Sequence, residues 1–244
     1  MRIVAISDTH NRLDKIKIPE GDVLVHAGDL TNRGTLNELV RAATVLRALP
    51  HKRKVIIAGN HDHGLEKQPR EAEALFQGMD YLRDSGVTID GIKFWGSPWQ
   101  PEFCNWAFNL PRNGPELMAK WALIPSDTDV LVTHGPPYEI LDLVPRGERV
   151  GCELLLKRVA EVRPKLHVFG HIHEGYGIVE KRWPCRRCGD SGFTGPRNYD
   201  GVCSECGGQS LQNPDRAGGK TIFANAATCD GQYRPVNAPL VIDL

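Results

Sequence analysis

The chain has 244 residues, room for one large domain or two small ones. Its 41% hydrophobic and 25% charged content is that of a soluble globular protein and excludes a mainly disordered, collagen-like or coiled-coil molecule. Thirty basic and thirty acidic residues cancel, so no overall field draws the chain to nucleic acid or to an anionic membrane.

The opening run from Met1 reaches Asp8 after one short apolar stretch, too short for a secretion signal. No stretch approaches the roughly 20 apolar residues of a membrane span. Both observations predict a cytoplasmic protein that does not enter a membrane.

In chain order, residues 3–6 and 23–26 read as buried strands, and residues 35–49 as a helix with a broad apolar face. Residues 55–58 read as a third strand and 88–95 as another. Strand 130–133, helix 151–162 stopped by Pro164, and strand 166–169 follow. Residues 176–181, 221–224 and 240–242 are further strands, the last two completing a second sheet. This alternation predicts a layered α/β domain.

Residues 182–216 stand apart, with almost no aliphatic side chains and much Gly, Pro, Cys and Arg. They read as an insertion in a hairpin loop, where added modules are best tolerated. Cys185-x2-Cys188 and Cys203-x2-Cys206, with fourteen residues between, predict a closed four-cysteine structural zinc site. Metal binding would then supply the folding energy of this ribbon. Its net charge of +1 before metal argues against a nucleic-acid reader and for a lid, a specificity element or an oligomer contact. The main domain is thus expected over residues 1–181 and 217–244. The remaining Cys104, Cys152 and Cys229 read as small buried apolar side chains.

The chemistry lies where the strands stop. Ser7-Asp8-Thr9-His10, Gly28-Asp29, Gly59-Asn60-His61-Asp62, His134-Gly135 and Gly170-His171-Ile172-His173 each follow a strand. Functional groups gather at such carboxyl ends in an open α/β sheet. Asp8, His10, Asp29, Asn60, His134, His171 and His173 form an oxygen and imidazole set suited to one or two divalent ions such as Mn, Fe, Ni or Zn. Each motif alone is more often a turn. Five in order, each after an apolar strand, are not.

As an ordered set these motifs resemble the calcineurin-like metallophosphoesterase superfamily. The stretches around Thr133-His134-Gly135-Pro136-Pro137, Arg163-Pro164-Lys165-Leu166-His167-Val168-Phe169 and Asn225-Ala226-Ala227-Thr228-Cys229 further resemble the metallophosphoesterase-domain-containing subfamily. The resemblance implies a four-layer α/β/β/α sandwich. It places one metal among Asp8, His10, Asp29 and His173, and a second among Asp29, Asn60, His134 and His171, with Asp29 bridging. It also implies two-metal hydrolysis of phosphodiesters, with nucleotides or cyclic nucleotides as ligands and a bridging hydroxide as nucleophile. Some members of the subfamily lack the histidine that stands here as His171 and are feeble enzymes; its presence implies a complete site.

His61, beside Asn60, is the candidate general acid, kept charged by Asp62 or another carboxylate. Arg33 is a candidate phosphate contact. His26 and His167 read as buried partners rather than ligands, His63 as a loop residue, and Trp95, Trp99, Trp106 and Phe108 as packing aromatics that could stack on a base. The alternatives are a phosphomonoesterase or nuclease on the same metals, or a binding protein that senses nucleotide. Oligomeric state is left open.

Overall fold

The computed structural model describes residues 1–184 and 219–244. Its elements are, in order, β1 (Arg2–Ile6), β2 (Val23–Ala27), α1 (Leu36–Ala48), β3 (Arg53–Ile57), α2 (His63–Lys67), α3 (Pro69–Ala74) and β4 (Asp80–Tyr81). Then come β5 (Ser85–Ile89), β6 (Ile92–Ser97), β7 (Gln100–Pro101), β8 (Asn109–Leu110), α4 (Pro115–Ala122), β9 (Val130–Thr133) and α5 (Glu153–Val162). The chain closes with β10 (Leu166–Phe169), β11 (Gly177–Arg182), β12 (Lys220–Asn225) and β13 (Leu240–Asp243).

Two sheets face each other. The first has the order β13-β1-β2-β3-β4 and is parallel except for β13. The second has the order β11-β12-β10-β9-β6-β5, with a parallel centre and an antiparallel strand at each edge. Every residue of β2, β9 and β10 is buried, as strands covered on both faces require. Alternate residues explain it: Val23 and Val25 join Val130, Val132 and Val168 between the sheets. Leu24 packs outward against Leu39, Ala43 and Leu46 of α1, whereas Leu131 packs outward against Trp121 of α4 and Val159 of α5. The order of layers is therefore helix, sheet, sheet, helix.

Local chemistry fixes the helix ends. Thr35 Oγ1 accepts from the Glu38 amide and Glu38 Oε2 accepts from the Thr35 amide, a capping box that starts α1. Arg163 ends α5 in the left-handed conformation (φ 57°), directly before Pro164.

Three expectations need correction. Cys152 and Cys229 are buried, but Cys104 is exposed. Residues 88–95 are not one strand: Asp90 and Gly91 both take positive φ (48° and 81°) and turn β5 into β6. Asp-Gly is the pair that a tight hairpin turn favours. Residues 240–242 do not join the second sheet either, because β13 pairs antiparallel with β1, Ile242 opposite Ile3.

The segment carrying Cys185, Cys188, Cys203 and Cys206 lies outside the described residues. Its points of attachment do not. Gly177 pairs with Asn225 at one end of the β11–β12 hairpin and Arg182 with Lys220 at the other. Among the described residues no helix is long and apolar enough to cross a membrane.

Candidate metal centre

The parallel strands of both sheets end on the same side, and the turns after them converge. β1 leads to Asp8 and His10, β2 to Asp29, and β3 to Asn60 and His61; β9 leads to His134, and β10 to His171 and His173. The sheets are stitched there by hydrogen bonds from Ser7 N to Ala226 O (2.8 Å) and from Thr228 N to Ser7 O (2.9 Å). Asp8, His10, Asp29 and His171 all take left-handed backbone conformations, with φ of 53°, 41°, 55° and 67°. Each costs on the order of 1–3 kcal/mol and persists because neighbouring bonds hold it. The Asp8 and His10 amides, for example, donate to the carbonyls of Gly28 and Asp29. A side chain at Gly170 would overlap the Asp8 carboxylate, and one at Gly59 the Asp29 carboxylate. Both glycines are needed for close approach.

Imidazole orientation is set from behind. His134 Nδ1 lies 2.9 Å from the Ala27 carbonyl, and His173 Nδ1 lies 2.9 Å from the Asp230 carbonyl. A carbonyl only accepts, so Nδ1 carries the proton in each ring, and the Nε2 lone pair of the neutral ring faces the site. His134 Nε2 then meets two more acceptors, Asn60 Oδ1 at 2.8 Å and Asp29 Oδ2 at 3.5 Å. His173 Nε2 meets Asp8 Oδ1 at 3.2 Å and His10 Nε2 at 3.4 Å. Lone pairs aimed at lone pairs call for a cation between them. The donor set of carboxylate, amide oxygen and imidazole fits a divalent metal. Among the described residues three clusters have ligand atoms within 4.8 Å of one another: Asp8, His10 and His173; His10, Asp29 and His61; Asp8, Asp29 and His134. Asp29 belongs to two of them. His171 stands beside His134, ring centroids 5.1 Å apart, and its amide donates to the Asp8 carboxylate.

Without metal, protons take the cation's place. Burial opposes charge on Asp8 and Asp29, but His173 and His134 outweigh it and hold both carboxyls well below their ordinary value. Burial likewise lowers His134 and His173, yet Asp29 and Asp8 lift them to about 9. Burial prevails at His171, lowered to about 4, and lowers His10 as well.

His61 reaches the same cluster. Its Nδ1 sits 2.8 Å from the Asn32 carbonyl, its Nε2 sits 3.8 Å from Asp29 Oδ2, and its amide donates to Asp29 Oδ1. Trp106 packs on the ring with centroids 3.9 Å apart. Asp62 does not pair with this ring: its carboxylate accepts from the amides of Leu30, Thr31 and Gly59 and from the Thr31 hydroxyl. It ties the β2 and β3 turns together, and the Asn32 carbonyl holds His61 instead.

Arg33 is exposed, beside a shallow surface depression shared with His63. His26 and His167 are buried against Thr9 and Thr133, 2.9 and 2.8 Å away. Tyr233 escaped the sequence reading. Its ring lies over His10 (4.2 Å between centroids) and beside His61 and His173. A tyrosine in a polar loop between a distant pair of strands carries no local sign of this. The two carbonyls from Asn32 and Asp230 are equally silent in sequence, since every residue has one.

A sandwich with a His/Asp centre at its strand ends is the architecture of the metal-dependent phosphoesterases. The calcineurin-like phosphoesterase family model matches residues 1–175, and the chain belongs to that family. It is 40% identical over its whole length to metallophosphoesterase domain-containing protein 1 of Homo sapiens and of Mus musculus, covering 71% of each. It is also 38% identical, over 95% of its length, to 23% of an Emericella nidulans protein named "Probable rhamnogalacturonate lyase C". Among solved structures, TT1561 of Thermus thermophilus aligns over 74% of this chain and 84% of its own, with a TM-score of 0.53 and 16% identity, a likeness of fold.

Proposed function

We propose that the protein is a two-metal phosphodiesterase acting on nucleotides or cyclic nucleotides. The observation that carries the reading is the facing of lone pairs: His134 Nε2 on Asn60 Oδ1 and Asp29 Oδ2, and His173 Nε2 on Asp8 Oδ1. One ion would be held by Asp8, His10, Asp29 and His173, the other by Asp29, Asn60, His134 and His171. Bound there, the ions supply positive charge against the phosphoryl oxygens and acidify the attacking water.

The chain's own residues do the rest. Ala27 and Asp230 carbonyls fix the tautomers of His134 and His173, so the ligand nitrogens need no reorientation. When protonated, His61 keeps its Nδ1–H on the Asn32 carbonyl and turns Nε2–H into the site, where it donates to the departing alkoxide. Trp106 limits rotation of that ring. Cys185, Cys188, Cys203 and Cys206 are proposed to bind one structural zinc. Replacing Cys185 and Cys188 by Ser should lower zinc content by about one per chain, because a closed tetrahedral site needs all four thiolates; unchanged zinc overturns that assignment.

The activity test compares bis-p-nitrophenyl phosphate with p-nitrophenyl phosphate in manganese, for the wild type and for Asn60→Ala. The expected result is preference for the diester, lost in the variant. Preference for the monoester makes the protein a phosphomonoesterase. Absence of turnover before and after the substitution leaves a binding protein.

A further inference from the structure

A cleft of about 560 Å³ opens on His171 and Gly135, next to the metal-ligand candidates. Pro136 and Ile172, which follow those two residues in the chain, line it from buried positions. Pro101, Phe103 and Val144 add further apolar surface. The volume is that of a site for an organic group, not for a water molecule.

Both sides of the cleft are tied down. Asp142, wholly buried, accepts from the Glu139 and Gly151 amides and from Arg149. Two residues on, the Val144 amide donates to the Glu148 carbonyl, and the Val144 carbonyl accepts from the Gly147 amide. Opposite, the Gln100 and Glu102 amides donate to the carbonyls of Phe108 and Leu110, which holds the segment that carries Pro101 and Phe103. The apolar surface is thus present before any ligand arrives.

Polar groups find little here. Gln100 Oε1 is sealed away from solvent and from the cleft, and its Nε2 donates to Asn109 Oδ1. Arg112 donates to the carbonyls of Val150 and Gly151 and to Glu153. Arg146 pairs with Glu148 at 2.8 Å. The remaining charged residue of the lining, Glu102, is acidic and exposed, and repels a second phosphate. His171 is taken by a metal ion in the proposed reading. A nucleobase brings several donors and acceptors, and each one buried without a partner is costly. A hydrocarbon brings none and gains with every methylene that leaves water.

We infer that the cleft seats a hydrocarbon substituent of the phosphodiester, so that alkyl phosphodiesters are a second class of substrate besides nucleotides. The inference rests on the two-metal diesterase reading and widens its range of substrates.

The test uses the manganese-loaded protein and three diesters with one leaving group: the hexyl, methyl and thymidine 5′ esters of p-nitrophenyl phosphate. In each, water adds to phosphorus and the P–O(aryl) bond breaks. p-Nitrophenolate departs with its electron pair, and the water's protons pass to the product phosphate and to solvent. The wild type should prefer the hexyl to the methyl ester by about tenfold or more in kcat/KM, the scale of several methylenes partly buried. Val144→Asp, which puts a charge on the apolar surface, should bring that ratio below about threefold while the thymidyl-to-methyl ratio stays as it was. A wild-type hexyl-to-methyl ratio near one, or one unchanged in the variant, overturns the inference and leaves the diesterase reading intact. An equal loss for the thymidyl ester also overturns it, since the cleft would then hold the nucleoside. Should Val144→Asp fail to fold, Phe103→Asp, at an exposed position, serves the same comparison. If the wild type cleaves none of the three, the diesterase reading fails and calorimetry decides the cleft. Hexyl phosphate binding about tenfold tighter than methyl phosphate supports it, and equal affinity overturns it.

Discussion

The two sheets contribute different chemistry to their shared edge. The first brings Asp8, Asp29 and Asn60, the oxygen donors, with His10; the second brings only imidazoles, those of His134, His171 and His173. The close cross-sheet pairs, Asn60 with His134 at 2.8 Å, Asp8 with His173 at 3.2 Å and Asp29 with His134 at 3.5 Å, each join an oxygen donor of the first set to an imidazole of the second. Neither sheet alone supplies both halves of the proposed ligand set. The site is therefore a product of packing one sheet on the other, and any cation held there also clamps the sandwich.

That division can be broken at its most shared point. Asp29 Oδ2 lies within 3.8 Å of His10, His61 and His134. Asp29→Ala should lower kcat/KM by about a thousandfold, the equivalent of about 4 kcal/mol of transition-state charge stabilisation. Measured metal content should fall with it. A change under about tenfold would deny Asp29 its central place.

His61→Asn should cost about a hundredfold with an alkyl leaving group, which needs a proton, and far less with p-nitrophenolate, which does not. Equal losses for the two leaving groups would show that His61 acts through the metals or the fold rather than as an acid.

Chelation should loosen the two sheets. An ion present at about 100 times its Kd contributes about 2.7 kcal/mol, so stripping it should lower Tm by about 5–10 °C in a chain of this size. The loss should depend on pH. His134 and His173 are raised in the metal-free fold to about 9 by Asp29 and Asp8, so their contribution is full below the ordinary imidazole value of 6.5 and disappears as pH rises through 9. The carboxyls, lowered by the same pairs, contribute above their ordinary value of 3.8 and lose that contribution as pH falls below it. The stripped protein should thus melt earlier as pH climbs from 6.5 to 9, while the metal-loaded protein gains relative to it because binding releases those protons. Parallel melting curves for the two forms would contradict the cross-sheet pairing.

The smallest effect belongs to the outer helix layer. Thr35→Ala removes the α1 cap at a cost of about 1 kcal/mol, lowering Tm by about 2–4 °C without altering metal content.

Sequence was most informative where one residue's chemistry decides its own place. Residues 130–133 and 166–169 are buried throughout and are the observed bounds of β9 and β10. The polar turns after them followed from the same contrast. What escaped depends on partners far along the chain. β13 joins the first sheet because Ile242 meets Ile3, and nothing near Ile242 names that partner. Tyr233 covers His10 through a loop more than two hundred residues away. Asp62 shows the limit from the other side. Its adjacency to His61 invited a catalytic pairing, but buried amides of neighbouring turns claim its oxygens.

The hairpin of β11 and β12 has a consequence for how this chain tolerates change. Asn225 marks its metal-centre end, and the segment carrying the four cysteines joins at the opposite end, about 17 Å away at the usual rise of a strand. There Arg182 faces Lys220, Trp183 N donates to Gly219 O, and the Trp183 ring is anchored on Thr221. The two ends are thus held about 5 Å apart by strand pairing, whatever runs between them. Doubling the length of such an excursion costs only about 0.6 kcal/mol in closure entropy. Strand pairing and Trp183 thus fix where residues 185–218 join the sandwich, and closure entropy alone sets little limit on the length of that segment.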